Sequence, residues 1–330
     1  MEARLLLQRV EPFVKRIGAS IAPFFLAPAS ARPLGVLRIL VSAVLLLQAV
    51  FVAPLIFELY GKSGITQDAL TRYLSDPLLP RIGWFLPLLE GWGVPERQVI
   101  LGTCLAYAVC LLSLFFGWRT RVAAFFCWLL HWILMTSGYC TNYGVDTFAH
   151  IVLFYFMWMP VGGAYSVEQW LRGNPSTTSF EARVSLRVLQ IHLCFVYLAG
   201  GVEKALGPQW WNGEVIWRAL MLPVYAQFDM SWIAGVPWVA KVAAWGTLLT
   251  EIGYSFFIWP RKTRPLWITL TVSLHVGIAV FLGLGVFGLI MSVLTLAVFG
   301  VSAEPRREEA RDRVTLFGGC TVQVPGGTVA

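Results

Sequence analysis

The sequence is short of charge. Asp, Glu, Lys and Arg make up 13% of its 330 residues, about half of the ~25% usual in soluble proteins. A water-facing surface for a chain of this size cannot be built from so few charges, which excludes a soluble globular domain. Histidine is scarce too: His131, His150, His192 and His275 are the whole set, and no two have the HxxxH spacing of a helical metal site. No metal centre is expected. The six Cys contain no CxxC pair, and Cys104, Cys110, Cys127 and Cys194 lie in apolar runs, where a free thiol behaves as a small apolar residue. Phosphate-binding glycine loops and nucleophile elbows are missing. So is any internal repeat, including the inverted repeat that many transporters carry.

What is present is apolar. Hydrophobic residues reach 57% and the mean hydropathy is +0.68. Fifteen Trp and ten Tyr suit a protein with two water–lipid interfaces, where such rings settle. The formal charge of +7 comes from short basic clusters at the ends of apolar runs. That is the pattern of positive-inside topology, not of a nucleic-acid face. The lipid bilayer is the expected partner, and nucleic acid is not.

Runs of about 20 apolar residues match the ~30 Å of hydrocarbon in a bilayer. They fall near 35–57, 97–116, 121–140, 144–160, 184–206, 239–259, 266–283 and 285–301. The predicted fold is all-α, a polytopic membrane helical bundle of about eight transmembrane helices. Only Gly283-Leu284-Gly285 separates the last two runs, so one long broken helix, and seven spans, is the alternative. Placing the N-terminus inside gathers most Lys and Arg on one side, loop by loop. Both termini are therefore expected in the cytoplasm.

Three regions follow. Residues 1–34 form a cytoplasmic N-terminal segment, amphipathic through Leu6, Leu7, Val10, Phe13, Val14 and Ile17 beside Arg9, Lys15 and Arg16. Its stretch IAPFFLAPASA has too short an apolar core, with two Pro, to read as a cleaved signal peptide. Residues 35–302 form the transmembrane domain. Residues 303–330 are polar, end in a Gly-rich stretch, and read as a flexible cytoplasmic tail. On the opposite side, 58–96 and 207–238 are long enough to fold.

An ionisable side chain at the centre of a bilayer-spanning helix costs at least ~2.5–3.5 kcal/mol, so those that occur need a reason. His131, Glu251 and His275 fall near mid-membrane, Lys204, Asp146 and His150 nearer the outer face, and His192 nearer the inner one. Asn142, Asp146 and His150 recur every four residues and so predict one polar stripe on the fourth span. The stripe is either a set of inter-helix hydrogen bonds or one wall of a polar cavity. Lys204 lies about one turn from the outer end of the fifth span, within YLAGGVEKALGPQWWNG. It either snorkels to the interface or sits in an apolar cavity, where an amine becomes usable as a base. Ala199, Gly200 and Gly201 let another helix approach closely.

The segment order resembles the HTTM (horizontally transferred transmembrane) domain shared with vitamin K-dependent gamma-carboxylase. The resemblance covers about residues 30–302. It rests on GVLRILVSAVLLL, NYGVDTFAHIVLFYFMWMPVGGAYSVEQW, VYLAGGVEKALGPQWWNGEVIW and LHVGIAVFLGLGVFGLIM, of which the AG-x-x-K stretch followed by Trp and Gly is the most specific. In the carboxylase the Lys of that motif deprotonates vitamin K hydroquinone. The resemblance therefore implies Lys204 as that base, with His275 and Asn142 at two further family positions. Together with the polar residues already set apart, the expected site is a catalytic pair, Lys204 and His275, and a cavity in which Asn142, Asp146, His150 and Glu251 bind a quinone such as menaquinone or vitamin K hydroquinone. The carboxylase's large lumenal region has no counterpart in a sequence that ends about 28 residues after its last span, so carboxylation of protein Glu is not expected. Short bacterial members of the family include SdpB-like helpers in maturation of a secreted toxin. They imply a second, non-enzymatic reading, in which 58–96 and 207–238 present a small secreted peptide.

Overall fold

The computed structural model describes residues 22–65, 68–74, 76, 78–173, 178–304, 314–315 and 321–322. The predicted surface helix in residues 1–17 and most of the tail lie outside these.

Each predicted span is a helix. They are α1 (Arg32–Val52), α2 (Glu96–Phe116), α3 (Thr120–Ser137), α4 (Gly144–Trp158), α5 (Phe180–Leu206), α6 (Trp238–Phe257), α7 (Arg264–Leu282) and α8 (Gly285–Thr295). Among the described residues, five helices are long and apolar enough to cross a membrane: α1 with its continuation to Tyr60, α2, α3, α5 and α7. Of the rest, α4 and the stretch Gly285–Gly300 are shorter apolar helices. The 20-residue α6 carries Lys241 and Glu251.

Local chemistry sets the boundaries. Pro33 and Pro265 enter α1 and α7 in the first turn, where the missing N–H costs nothing. The Ser179 hydroxyl caps α5 by accepting the Ala182 N–H at 3.1 Å. Gly117, at φ +74°, ends α2. The Gly117 and Trp118 N–H groups fold back on the carbonyls of Leu114 and Ser113.

Gly283, at φ +70°, breaks the last apolar run. The helices on either side then pack against each other, and a Cβ on Gly288 would lie 2.5 Å from the His275 carbonyl oxygen. The final pair is a tight helical hairpin, not one broken helix.

The helices form a single bundle in which α2 packs on α1 and α3, α3 on α4, α5 on α6, and α8 on α7 and α1. On α2 the division of faces is plain. Ile100, Tyr107, Leu111 and Leu114 are buried, while Leu101, Leu105, Val109, Leu112 and Phe116 are exposed. Both sets are apolar, as a helix between protein and lipid requires.

One end of the bundle collects the turns after α2, α4 and α6. It is tied by Ser30 N–H to Ala303 carbonyl at 3.0 Å and Arg183 Nε to Ala27 carbonyl at 2.8 Å. The loops 56–95 and 207–237 lie at the other end and contain short helices, among them Asp68–Leu74, Ile82–Gly91 and Glu214–Met221.

Among the described residues the largest fully buried side chain is that of Arg38, on α1. Its guanidinium donates to the carbonyls of Val161 (3.1 Å), Phe115 and Tyr165 (2.6 Å each), and Leu114. Leu114 and Phe115 belong to the last turn of α2, where carbonyls lack helical partners. Arg38 thus closes the α2 terminus and fixes the turn after α4 to it. Nothing in the sequence set this residue apart from the other basic residues near span ends.

Candidate functional site

The predicted site residues fall into two groups. The first forms where α5, α6 and α7 meet. Lys204 Nζ donates to Glu251 Oε2 at 2.8 Å and lies 3.5 Å from the Gly200 carbonyl oxygen and 5.7 Å from the centre of the Trp210 ring. The Lys204 side chain is 30% exposed and that of Glu251 11%. Gly201 makes the approach possible, because a Cβ there would meet Ile252 Cγ1 at 2.7 Å and Glu251 Cβ at 3.1 Å.

Two turns back on the same face of α5, Tyr197 is hydrogen-bonded to His275 Nε2 at 2.8 Å. Its ring lies 4.2 Å from that of Tyr254, whose hydroxyl is 3.4 Å from Thr295 Oγ1. His275 Nδ1 is buried without a hydrogen-bond partner among the described residues. Lys204, Glu251 and His275 therefore share one neighbourhood. The amine does not stand alone in an apolar void. A carboxylate holds it, and that carboxylate is its nearest proton acceptor.

The second group lines a cavity of about 420 Å³ walled by α1, α2, α3 and the segment that leads into α4. Its polar lining includes Gln48, Tyr60, Tyr107, His131, Asn142 and Asp146. Gln48 Nε2 donates to Asp146 Oδ1 at 2.9 Å, and the Tyr143 N–H donates to Asp146 Oδ2 at 3.1 Å. Asn142 Nδ2 donates to the Met135 carbonyl at 2.7 Å. The Tyr107 hydroxyl and His131 Nδ1 are buried with no hydrogen-bond partner among the described residues. Val50, Leu101 and Leu105 line the cavity and are also exposed on the outside of the bundle. The cavity therefore borders the lipid-facing surface.

This geometry corrects the predicted stripe. Helix α4 starts at Gly144 with Tyr143 as its cap, and Asn142 is extended, at φ −68° and ψ 141°. Asn142 thus lies off the helix, and its position comes from its bond to α3. Asp146 spends one oxygen on the cap, as an acidic group in the first turn does. His150 stacks between Trp128 (5.2 Å) and His131 (5.6 Å) instead of lining the cavity. Phe287 touches the start of α4 and His275: a Cβ on Gly144 would meet it at 2.8 Å, and its ring centre is 5.7 Å from that of His275.

Residues 27–302 match the HTTM domain. The chain belongs to the HTTM family. This HTTM chain is also similar to the Uncharacterized protein YitO of Bacillus subtilis (strain 168), with 24% identity over 201 residues. That stretch is 57% of this chain and 62% of the relative, so the match spans less than two thirds of the relative's length. No solved structure matches.

Sequence reasoning placed His131 near mid-membrane without giving it a role in the site, and passed over Gln48, Tyr60, Tyr107 and Tyr197. Gln48 and Tyr107 had a signal, as polar groups inside apolar helices. Tyr197 had none, because only the fold brings it to His275. Among the described residues no group of three His, Cys, Asp or Glu side chains is placed to hold a metal ion.

Proposed function

We propose that this HTTM protein spans a bacterial plasma membrane eight times, with both termini cytoplasmic, and binds a quinone-like molecule in the cavity beside α1, α2 and α3. One observation carries the reading. A largely apolar cavity at the lipid-facing surface contains buried polar atoms, on Tyr107 and His131, that lack partners among the described residues. Leaving a buried polar group unsatisfied costs about 1–3 kcal/mol, which a ligand oxygen would offset. The cavity volume lies within the range of about 300–1,000 Å³ usual for small-molecule sites.

Tyr107 and His131 would hold the ring oxygens, while Asn142, and Asp146 with Gln48, would position the ring. A quinone, when bound, supplies reversible electron and proton exchange. Lys204 is the proposed base, with Glu251 as the group that takes and returns its proton. His275 is oriented by Tyr197.

Mass spectrometry of lipids co-purifying with the wild type, Ala108→Phe and Lys204→Ala tests this. Ala108 lines the cavity, so the larger ring fills it. A quinone should accompany the wild type and Lys204→Ala and be lost from Ala108→Phe. Its absence from the wild type, or equal amounts in all three, defeats the reading.

A second reading, a helper in maturation or export of a secreted peptide, is favoured by one feature. Trp211, Leu222, Val224, Phe228 and Trp232 are all exposed within 207–238. In that case Trp211→Ala/Trp232→Ala should abolish peptide release from cells while Lys204→Ala leaves it near normal.

A further inference from the structure

At the bundle end that carries the α2–α3 and α4–α5 turns lies a second, larger cavity of about 730 Å³. Arg119, Arg121 and Arg172 line it, and Glu168 is its one acidic lining residue. None of the three arginines is within ion-pair distance of a carboxylate among the described residues. Glu168 is already engaged, since its Oε1 accepts the Arg119 backbone N–H at 2.8 Å. Beneath the turn lies the fully buried Arg38, whose partners are all backbone carbonyls. Its charge adds to the field at this end of the bundle, where the Glu168 carboxylate opposes it only in part.

Arginines that serve only to orient a membrane protein do not need to share a cavity. These three do, and their planar, multiply donating heads suit phosphate oxygens. The rest of the lining is partly apolar, with Trp118, Val122 and Met159. From Val122 the apolar surface continues along α3 through the exposed Phe125 and Phe126. A basic recess joined to a lipid-facing apolar strip matches a molecule with a phosphate at one end and a hydrocarbon at the other.

We infer that the recess between the α2–α3 turn and the segment after α4 binds a phosphate ester through Arg119, Arg121 and Arg172. The anion comes from an anionic phospholipid headgroup or a soluble phosphate compound. The site is separate from the proposed quinone cavity and stands whether or not a quinone binds.

The test is the thermal transition of the full-length protein in non-ionic detergent at fixed ionic strength. It is titrated with dihexanoyl phosphatidylglycerol, dihexanoyl phosphatidylcholine or inorganic pyrophosphate. The wild type should be stabilised saturably by phosphatidylglycerol, and Arg121→Gln/Arg172→Gln should need at least tenfold more. A response to phosphatidylglycerol alone assigns a lipid headgroup, and one to pyrophosphate as well assigns a phosphate of either origin. Arg261→Gln/Lys262→Gln removes the same charge elsewhere and should titrate like the wild type. Glu168→Gln removes the opposing charge and should titrate at several-fold lower concentration, which keeps the test decisive if the double arginine variant does not fold. Equal responses to phosphatidylglycerol and phosphatidylcholine would overturn the inference. So would equal titrations of the wild type and the arginine variant, or of the wild type and Glu168→Gln.

Discussion

Lys204 and Glu251, 47 residues apart in sequence, face each other across the α5–α6 interface with nitrogen and oxygen 2.8 Å apart. The pair is asymmetric: Glu251 is largely enclosed, while the lysine keeps an open edge. Breaking a fully buried pair costs about 3–5 kcal/mol, and the partial exposure of Lys204 reduces this. Lys204→Met should therefore cost about 2 kcal/mol, seen as a lowered Tm in detergent. Lys204→Met/Glu251→Leu should recover most of that loss because no charge is left stranded. If Lys204 is the base, stability returns in the double variant and activity does not. Recovery of both would make the pair purely structural.

The close approach of α5 to α6 should be intolerant of bulk at Gly201. Valine there would drive its side chain into Ile252 and the Glu251 Cβ, and such overpacking costs about 1–3 kcal/mol. Gly246, also on α6, has open space where a Cβ would go. Gly246→Ala should raise Tm, by up to about 1 kcal/mol of helix propensity. Parallel melting curves of the two variants check the contrast.

Tyr197 is the one hydrogen-bond partner of the His275 ring among the described residues. Removing its hydroxyl in Tyr197→Phe leaves both ring nitrogens unsatisfied, at about 1–3 kcal/mol. Tyr197→Phe/His275→Phe should be the more stable of the two, because an apolar pair leaves nothing unpaired. A double variant less stable than the single one would mean that His275 has another role in packing.

Arg38 should resist every substitution, including the conservative one. Arg38→Met removes four charge-assisted hydrogen bonds, two of them fully buried, a loss above about 3 kcal/mol. Arg38→Lys should do little better, because an ammonium cannot reach acceptors arranged around a planar fork. Size-exclusion profiles of detergent extracts should show little monodisperse protein for either variant.

The membrane character of the chain and its eight helical runs were readable from residue order, because apolar length and turn chemistry act locally. Gly283 shows both the reach and the edge of that logic. The sequence marked a break there, but the hairpin depends on Gly288 lying against the His275 carbonyl. Asn142 shows where periodicity misleads. Its spacing from Asp146 and His150 is helical, but Tyr143 caps the helix after it, and a bond to the Met135 carbonyl sets its place.

Residue order alone determined that this chain belongs in lipid, where its helices run, and which few ionisable groups need a reason to be there. Each of those follows from hydrophobic length and from the cost of charge in hydrocarbon. The fold decided which groups meet: Lys204 with Glu251, His275 with Tyr197, and Asn142 and Asp146 with Tyr107 and His131 around one cavity. Helical spacing tells which face of its own helix a side chain occupies. Which neighbour that face meets is settled only when the helices pack.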